Sequence, residues 1–371
     1  MPVAKKKTLK QVVKGKTPRG PYGLPKKRNT KCPLWKGPEV DGVTQSMLGS
    51  FLVCRERFRL KVIEGLAEAD EFSHALEYGN LWHVCEEHGK DYAEPLKAYT
   101  KSLCRKYPLQ QEQIVHWMKV CKTQFPVYIK HWKNYNKREK IETLRSEQVF
   151  SVPYKLPSGR AVILRGKWDN VCTAEKKLHV WENKTKGEIV EQLLTRQLTF
   201  DLQTMFYFVA FQENTQQGYM ENYGDPKGLI YNVVRRPLAG GKGSIRKHQP
   251  TKSNPLGETD EHFYGRLQGI IEEDPEYFFM RWKVGISKAD AEKFKREFLN
   301  PILEQLCQWY DFVTCNSDPF SGKGPIGIHW RHPYGVWNPM DRRRPSEMDE
   351  YMASGSELGL VHKDKLFEEL N

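Results

Sequence analysis

Residues 146–186 constrain the fold more tightly than any other stretch. "EQVFSVPYKL" alternates apolar and polar side chains, as a half-buried strand does. "PSG" at 157–159 is a turn signal, "RAVILRGKWDNVCT" is a longer strand, and "LHVWENKTK" is a third. Three strands joined by short turns make a β-meander, whose exposed face must be covered by something else in the chain.

The flanking sequence supplies the cover, because its period is helical. Met47, Phe51, Cys54 and Phe58 recur at steps of three and four. Residues 73–92 and 111–135 predict two further helices, the second expected to bend at Pro126. After the meander, Leu198, Leu202, Met205, Phe206 and Val209 mark one helical run, and residues 228–236 are rich in β-formers. The order is helices, three strands, helix, strand, so an α/β fold with a mixed sheet is expected. Residues 237–257 are rich in Gly and Pro and carry Lys242, Arg246, Lys247 and Lys252 with no acid. A gap of that length is functional or disordered. Beyond it, "PEYFFMRWKV" reads as extended, and a long helix follows with Ser287 as its N-cap. From Cys315 the sequence reads as loop, anchored by Trp330, Tyr334 and Trp337. The expected division is a basic disordered tail over 1–43, a helical region over 44–145, a core over 146–236, a basic flexible loop over 237–257, and a helical C-terminal region over 258–371.

Charge is concentrated at one end. Residues 1–31 hold eleven Lys or Arg and no acid, which accounts for all but two of the net charge of +13. A segment of this kind is a solubilising tail or a non-specific arm for nucleic acid, and the second reading is preferred. In a eukaryotic cell it would also pass for a nuclear-localisation signal. The tail lacks the apolar stretch of a secretory signal, and no run approaches the roughly 18 apolar residues that cross a membrane. An intracellular chain without membrane contact is expected, cytoplasmic or associated with the nucleoid. None of the eight cysteines forms a C-x-x-C pair, so reduced thiols are expected rather than a disulfide framework.

The meander's second hairpin carries the chemistry. With its turn at 174–177, Asp169 falls opposite Glu182, Val171 opposite Val180, and Lys167 opposite Lys184. Opposed Cβ atoms in such a pair are about 4.5–5.5 Å apart. Two carboxylates that close repel unless a cation sits between them, and Lys184 shares the face of Glu182 because side chains alternate. Two acids and a lysine on one face suit a hard divalent cation with a positive group beside it. That combination fits phosphodiester hydrolysis, in which the metal activates water and stabilises developing charge. Ordinary cross-strand charge pairing on a solvated face is the competing reading.

Five motifs taken together resemble the PD-(D/E)XK nuclease superfamily, in its RecB-type branch of exonucleases. They are the opening helix over 44–66, "YGNLWHVCEE", "RGKWDNV", "WENKTK" and "DLQTMFYF", in the family's order. The later section from "GLIYNVVRRP" to "RWKV" is similar to phage and prophage members, and the likeness spans roughly residues 44–315. The resemblance implies a restriction-endonuclease-like core of αβββαβ order with helical additions at both ends. It implies that His83, Asp169, Glu182 and the carbonyl of Asn183 hold Mg²⁺ or Mn²⁺, an imidazole ligand favouring Mn²⁺. It implies that Lys184 assists the attacking water, and that Gln203 and Tyr207 position the hairpin, water or phosphate. For Tyr207, packing is an equal alternative; for His83 taken alone, a core or surface histidine is the simpler one. Lys167, Arg235, Arg236, Lys242, Arg246 and Lys247 are the candidate nucleic-acid contacts.

Many members of this branch hold an iron–sulfur cluster through one early cysteine and three late ones. Only Cys307 and Cys315 occur late in this chain, so no cluster is expected. Cys54, Cys315, His329 and His332 could bind zinc, but no tight spacing supports it, and buried cysteines with surface histidines are simpler. The expected activity is a metal-dependent DNA exonuclease of phage or bacterial recombination, replication or repair, on single- or double-stranded DNA. The alternatives are a structure-specific endonuclease or a trimming nuclease of the CRISPR-adaptation kind, and a nucleic-acid-binding module that has lost catalysis.

Overall fold

The computed structural model describes residues 34–53, 55–63, 65–68, 71–198, 200–237, 246–252, 255–314, 360–363, 365–367 and 370. The basic tail over 1–31, Lys242, and the zinc candidates Cys54, Cys315, His329 and His332 lie outside them, as do Trp330, Tyr334 and Trp337. Two compact units divide the chain.

One unit comprises residues 1–69, 153–165 and 296–371. It contains helix α1 (Gln45–Val53) and two three-residue strands, Leu66–Glu68 and Leu360–His362, paired antiparallel. Its core is aromatic. Phe58 meets Trp35, Phe51 and Trp309 edge-on, with ring centroids 5.5–5.6 Å apart. Edge-to-face contacts of this kind add about 0.5–1.5 kcal/mol beyond the area they bury. At the surface, Arg160 joins Glu39 and Asp311.

The other unit comprises residues 70–152 and 166–295. Helix α2 (His74–His88) starts at Ser73, whose hydroxyl caps the Leu76 amide. Helices α3 (Ala93–Lys106) and α4 (Gln111–Arg138) follow, and α4 continues through Pro126 as one element. The meander is β1 (Glu142–Lys155), β2 (Ala161–Ala174) and β3 (Lys177–Lys186). The single helical run expected after it is two helices, α5 (Glu191–Leu198) and α6 (Leu202–Gln216). The reason for the break is Asp201, in extended conformation, whose carboxylate accepts the Thr204 amide at 3.0 Å and starts α6 afresh. Strand β4 (Gly228–Arg235) is buried at every residue. Helix α7 (Asp260–Glu273) and strand β5 (Phe279–Gly285) complete the layers. Helix α8 (Lys288–Phe294) begins at the expected Ser287 cap, with Asp290 closing a capping box.

The sheet order is β1-β2-β3-β4-β5. β3 pairs antiparallel with β2 and parallel with β4, and β5 adds antiparallel to β4. This is the mixed α/β sheet expected, with β3 alone at its centre and β5 supplied by "FMRWKV". A continuous apolar cluster fastens α2, α4 and α7 to the sheet, including Tyr78, Trp82, Trp117, Phe125, Val234 and Leu267. Elsewhere in this unit Trp168 stacks on Phe150 at 4.2 Å and meets Phe211 edge-on at 4.9 Å.

Candidate active site

The turn of the β2–β3 hairpin sets the site's register. Glu175 and Lys176 both have positive φ, 52° and 65°, the mirror-image turn that suits the twist of two strands. Pairing then runs from Ala174–Lys177 to Asn170–Trp181 with Val171 opposite Val180, as the sequence predicts. It stops one residue short of Asp169 and Glu182. There the Asp169 carboxylate accepts the Asn183 amide at 2.7 Å in place of a backbone partner. The strands therefore end their ladder where the acids begin.

Two glycines let helices close on this point. A side-chain carbon on Gly79 would lie 3.1 Å from Thr185 Oγ1, so α2 passes tightly over β3 and presents His83 one turn later. One on Gly166 would lie 3.3 Å from the Tyr207 ring of α6, and 2.6 Å from the Phe150 ring of the neighbouring strand.

The ligand atoms of His83, Glu147 and Asp169 all lie within 4.8 Å of one another. Glu182 is not in that group. Its Oε1 accepts hydrogen bonds from Lys184 Nζ and from Gln203 Nε2, the latter at 2.7 Å, while Oε2 is buried with no partner. Burial and the nearby Asp169 charge push the Glu182 carboxyl up to about 8. Glu86, one helical turn after His83, has the same character. Its Oε1 accepts from Asn232 at 3.3 Å, its Oε2 is buried without a partner, and burial, with Asp169 adding to it, raises it to about 8. Burial pulls the Lys184 ammonium down, but the Glu182 carboxylate outweighs it and the group ends up raised. His83, Glu147 and Asp169 could hold a divalent cation together, and Glu86 and Glu182 nearby each keep one buried oxygen without a hydrogen bond.

The other expected site residues fall as follows. Asn183 is buried, with its side-chain oxygen accepting from Trp181 at 2.6 Å and from Asn232 at 3.0 Å. Gln203 and Tyr207 share one face of α6; burial raises the Tyr207 phenol, whose ring meets Phe150 edge-on at 5.8 Å. Lys167 forms an ion pair with Glu147. Arg235 is buried, donates to the Tyr277 carbonyl at 2.9 Å and stacks over that ring at 4.0 Å. Its guanidinium is thus committed to packing in this structure. Lys247 pairs with Asp260 at 2.7 Å, and Arg246 uses its carbonyl to accept from Arg266 at 2.8 Å. Arg236 follows β4 and lines a cavity.

Glu147 and Glu86 escape the sequence reading. Glu147 has φ of 50° inside β1, a left-handed backbone that disturbs the alternation by which strand faces are assigned. A non-glycine residue held there costs of order 1–3 kcal/mol, and such residues gather at functional sites. Glu86 sits in "CEEH", which looks like an ordinary solvated helix face. Its spacing of three from His83 was the available signal.

The β2–β3 hairpin of the mixed sheet supplies Asp169, Glu182 and Lys184, α2 supplies His83 and β1 supplies Glu147, a grouping that could hold a divalent cation. The family model for the PD-(D/E)XK nuclease superfamily matches residues 43–308. The chain belongs to that superfamily, which indicates a nuclease, acting on nucleic acid with divalent metal. No curated protein matches the chain. Among the described residues, no helix is long and apolar enough to cross a membrane.

Proposed function

We propose that this nuclease is a DNA exonuclease of the RecB-type branch, serving phage or bacterial recombination, replication or repair. The observation that carries the reading is the convergence of His83, Glu147 and Asp169 beside the Glu182–Lys184 pair. In this account His83, Asp169 and Glu147 would hold the cation, with Glu182 and the Asn183 carbonyl as further ligands. Mn²⁺ or Mg²⁺ there would supply Lewis acidity toward the scissile phosphate and make water a better nucleophile. Lys184 orients the attacking water and offsets the charge that grows on the phosphate oxygens. Gln203 and Lys184 hold Glu182 Oε1, which leaves Oε2 as the oxygen that could serve a cation. Tyr207 keeps α6 packed against β1. A cation on Glu147 would release Lys167 from its ion pair for a phosphate.

End-labelled linear strands and a closed circular single strand, each incubated with Mn²⁺, test the reading. An exonuclease degrades the linear strands and leaves the circle whole. Cutting of the circle would make the enzyme an endonuclease. No metal-dependent release from either would leave a binding module.

A further inference from the structure

A cavity of about 540 Å³ lies at the carboxyl end of β4, apart from the acid cluster. Its walls include Trp117 and Val120 of α4, Phe263 and Leu267 of α7, His116, and Arg236. Sites of this size hold a ligand of roughly nucleotide dimensions. Ligands in open α/β sheets gather at the carboxyl ends of the strands.

Arg236 makes the cavity unusual. Its Nε and Nη1 are buried and have no hydrogen-bond partner. The ionisable neighbour that bears on it is the Tyr78 phenol, with burial lowering the guanidinium. Glu112 also lines the cavity but from an exposed position, and it does not pair with Arg236. Arg236 is half-buried, two enclosed donors without partners are costly, and the guanidinium fork matches a phosphate. The ring of Trp117 lies 5.6 Å from the guanidinium and offers a flat apolar wall for a sugar or base. His116 adds no cation at neutral pH: burial lowers it, and its Nδ1 meets Tyr264 Oη at 2.9 Å.

The position relative to the acids follows from strand register. Lys184 pairs with Val233, and the Arg236 amide donates to the Lys186 carbonyl at 2.8 Å. Side chains alternate, so Arg236 lies on the face of β4 opposite to that of Val233 and Lys184, and the acid on its own side is Glu86, hydrogen-bonded to Asn232. Arg236 is four residues past Asn232, about 13 Å along the strand at roughly 3.3 Å per residue, or about four stacked nucleotides at 3.4 Å each and fewer in an extended strand. Arg236 continues the face of β4 that carries Asn232 and Val234, and Asn232 touches Glu86, whose carboxyl feels Asp169.

We propose that this cavity holds one nucleotide of the strand being cut, gripping its phosphate through Arg236 a few positions from the scissile bond. The assignment rests on the nuclease reading. It would make Arg236 a binding residue that fixes where the strand sits, rather than a part of the chemistry.

The test uses the full chain and a set of oligodeoxynucleotides, each with one uncharged methylphosphonate linkage at a different position near the cut. The wild type should lose about tenfold or more in kcat/KM at one position. Arg236→Gln should show that loss on the all-phosphate substrate and no further loss when the same linkage is neutralised. Equal cleavage by Arg236→Gln, or additive losses, overturns the proposal. Arg236→Lys supports the same comparison if the Gln variant does not fold. Binding of the set in Ca²⁺, followed by fluorescence anisotropy, separates the two readings. A single sensitive position that vanishes in Arg236→Gln upholds the cavity even if no strand is cut. Inorganic phosphate that saturates Arg236 while every linkage proves equivalent would make it a small-anion site and overturn the strand assignment.

Discussion

Two groups of acids in the same compact unit have opposite surroundings. Glu258 accepts two hydrogen bonds from Arg266, at 3.0 and 2.7 Å, and Asp260 is held by Lys119 and Lys247. Those partners push both carboxyls down to about 2. Glu86 and Glu182 are instead raised to about 8 by burial and by Asp169. The first group is electrically complete. In the second, Lys184 holds only one oxygen of Glu182, and one buried oxygen each of Glu86 and Glu182 has no hydrogen bond. Buried unpaired groups are costly and gather at functional sites, so the contrast separates acids that hold the surface together from acids suited to a cation.

The largest expected effect comes from removing one acid of the second group. Asp169→Asn keeps the shape and the bond to the Asn183 amide while deleting a charge. It should weaken Mn²⁺ binding and abolish metal-dependent cleavage, with circular dichroism and Tm showing an intact fold. Lys184→Ala should separate binding from chemistry. Deleting a cation leaves metal bound as tightly or more tightly, while kcat falls by about two orders of magnitude, the scale of one lost transition-state stabiliser. Single-turnover cleavage at saturating DNA, read beside a metal titration, checks it.

The contrast also fixes two opposite responses to pH. Glu86 and Glu182 keep protons in the folded, metal-free protein that the unfolded chain has already released above about 4.5. Stability should therefore fall as pH rises from about 4.5 through about 8. Metal needs those carboxylates ionised, so the Tm gained on adding Mn²⁺ should be larger at pH 8 than at pH 6. A metal-induced shift of the same size at both pH values counts against the site. Glu258 and Asp260 act in the other direction: their contribution is present above about 4 and is lost as pH falls through about 2. The smallest effect is Asp260→Asn, whose partners are at the surface. It should leave kcat within about twofold of wild type, as expected for an exposed ion pair. A large loss would mean that Lys119 or Lys247 needs Asp260 to present it to substrate.

The hairpin was legible because its information is local. A two-residue turn and alternation alone place Val171 opposite Val180, whereas the bond from the Asn183 amide to the Asp169 carboxylate, just past the end of the pairing, had no local signal. The Asp201 break was less visible, since apolar spacing continues across it and only the cap chemistry interrupts the helix. Glu147 was hidden by a left-handed residue inside a strand, which no alternation rule anticipates. The basic loop is less isolated in charge than its own residues imply, since Lys247 pairs with Asp260, three residues beyond where the acid-free stretch ends. Arg235 and Arg236 are adjacent in sequence yet differ completely, because strand alternation sends one onto Tyr277 and the other toward the cavity by Trp117.

Calorimetric titration of Mn²⁺ into the wild type and Asp169→Asn, with cleavage of end-labelled DNA measured on the same samples, tests the central claim most directly. Metal binding in the wild type that releases protons, weakens in the variant, and disappears together with cleavage is the predicted result. Wild-type metal affinity and cutting rate in Asp169→Asn would contradict it, and the clustered acids would then be structural charges.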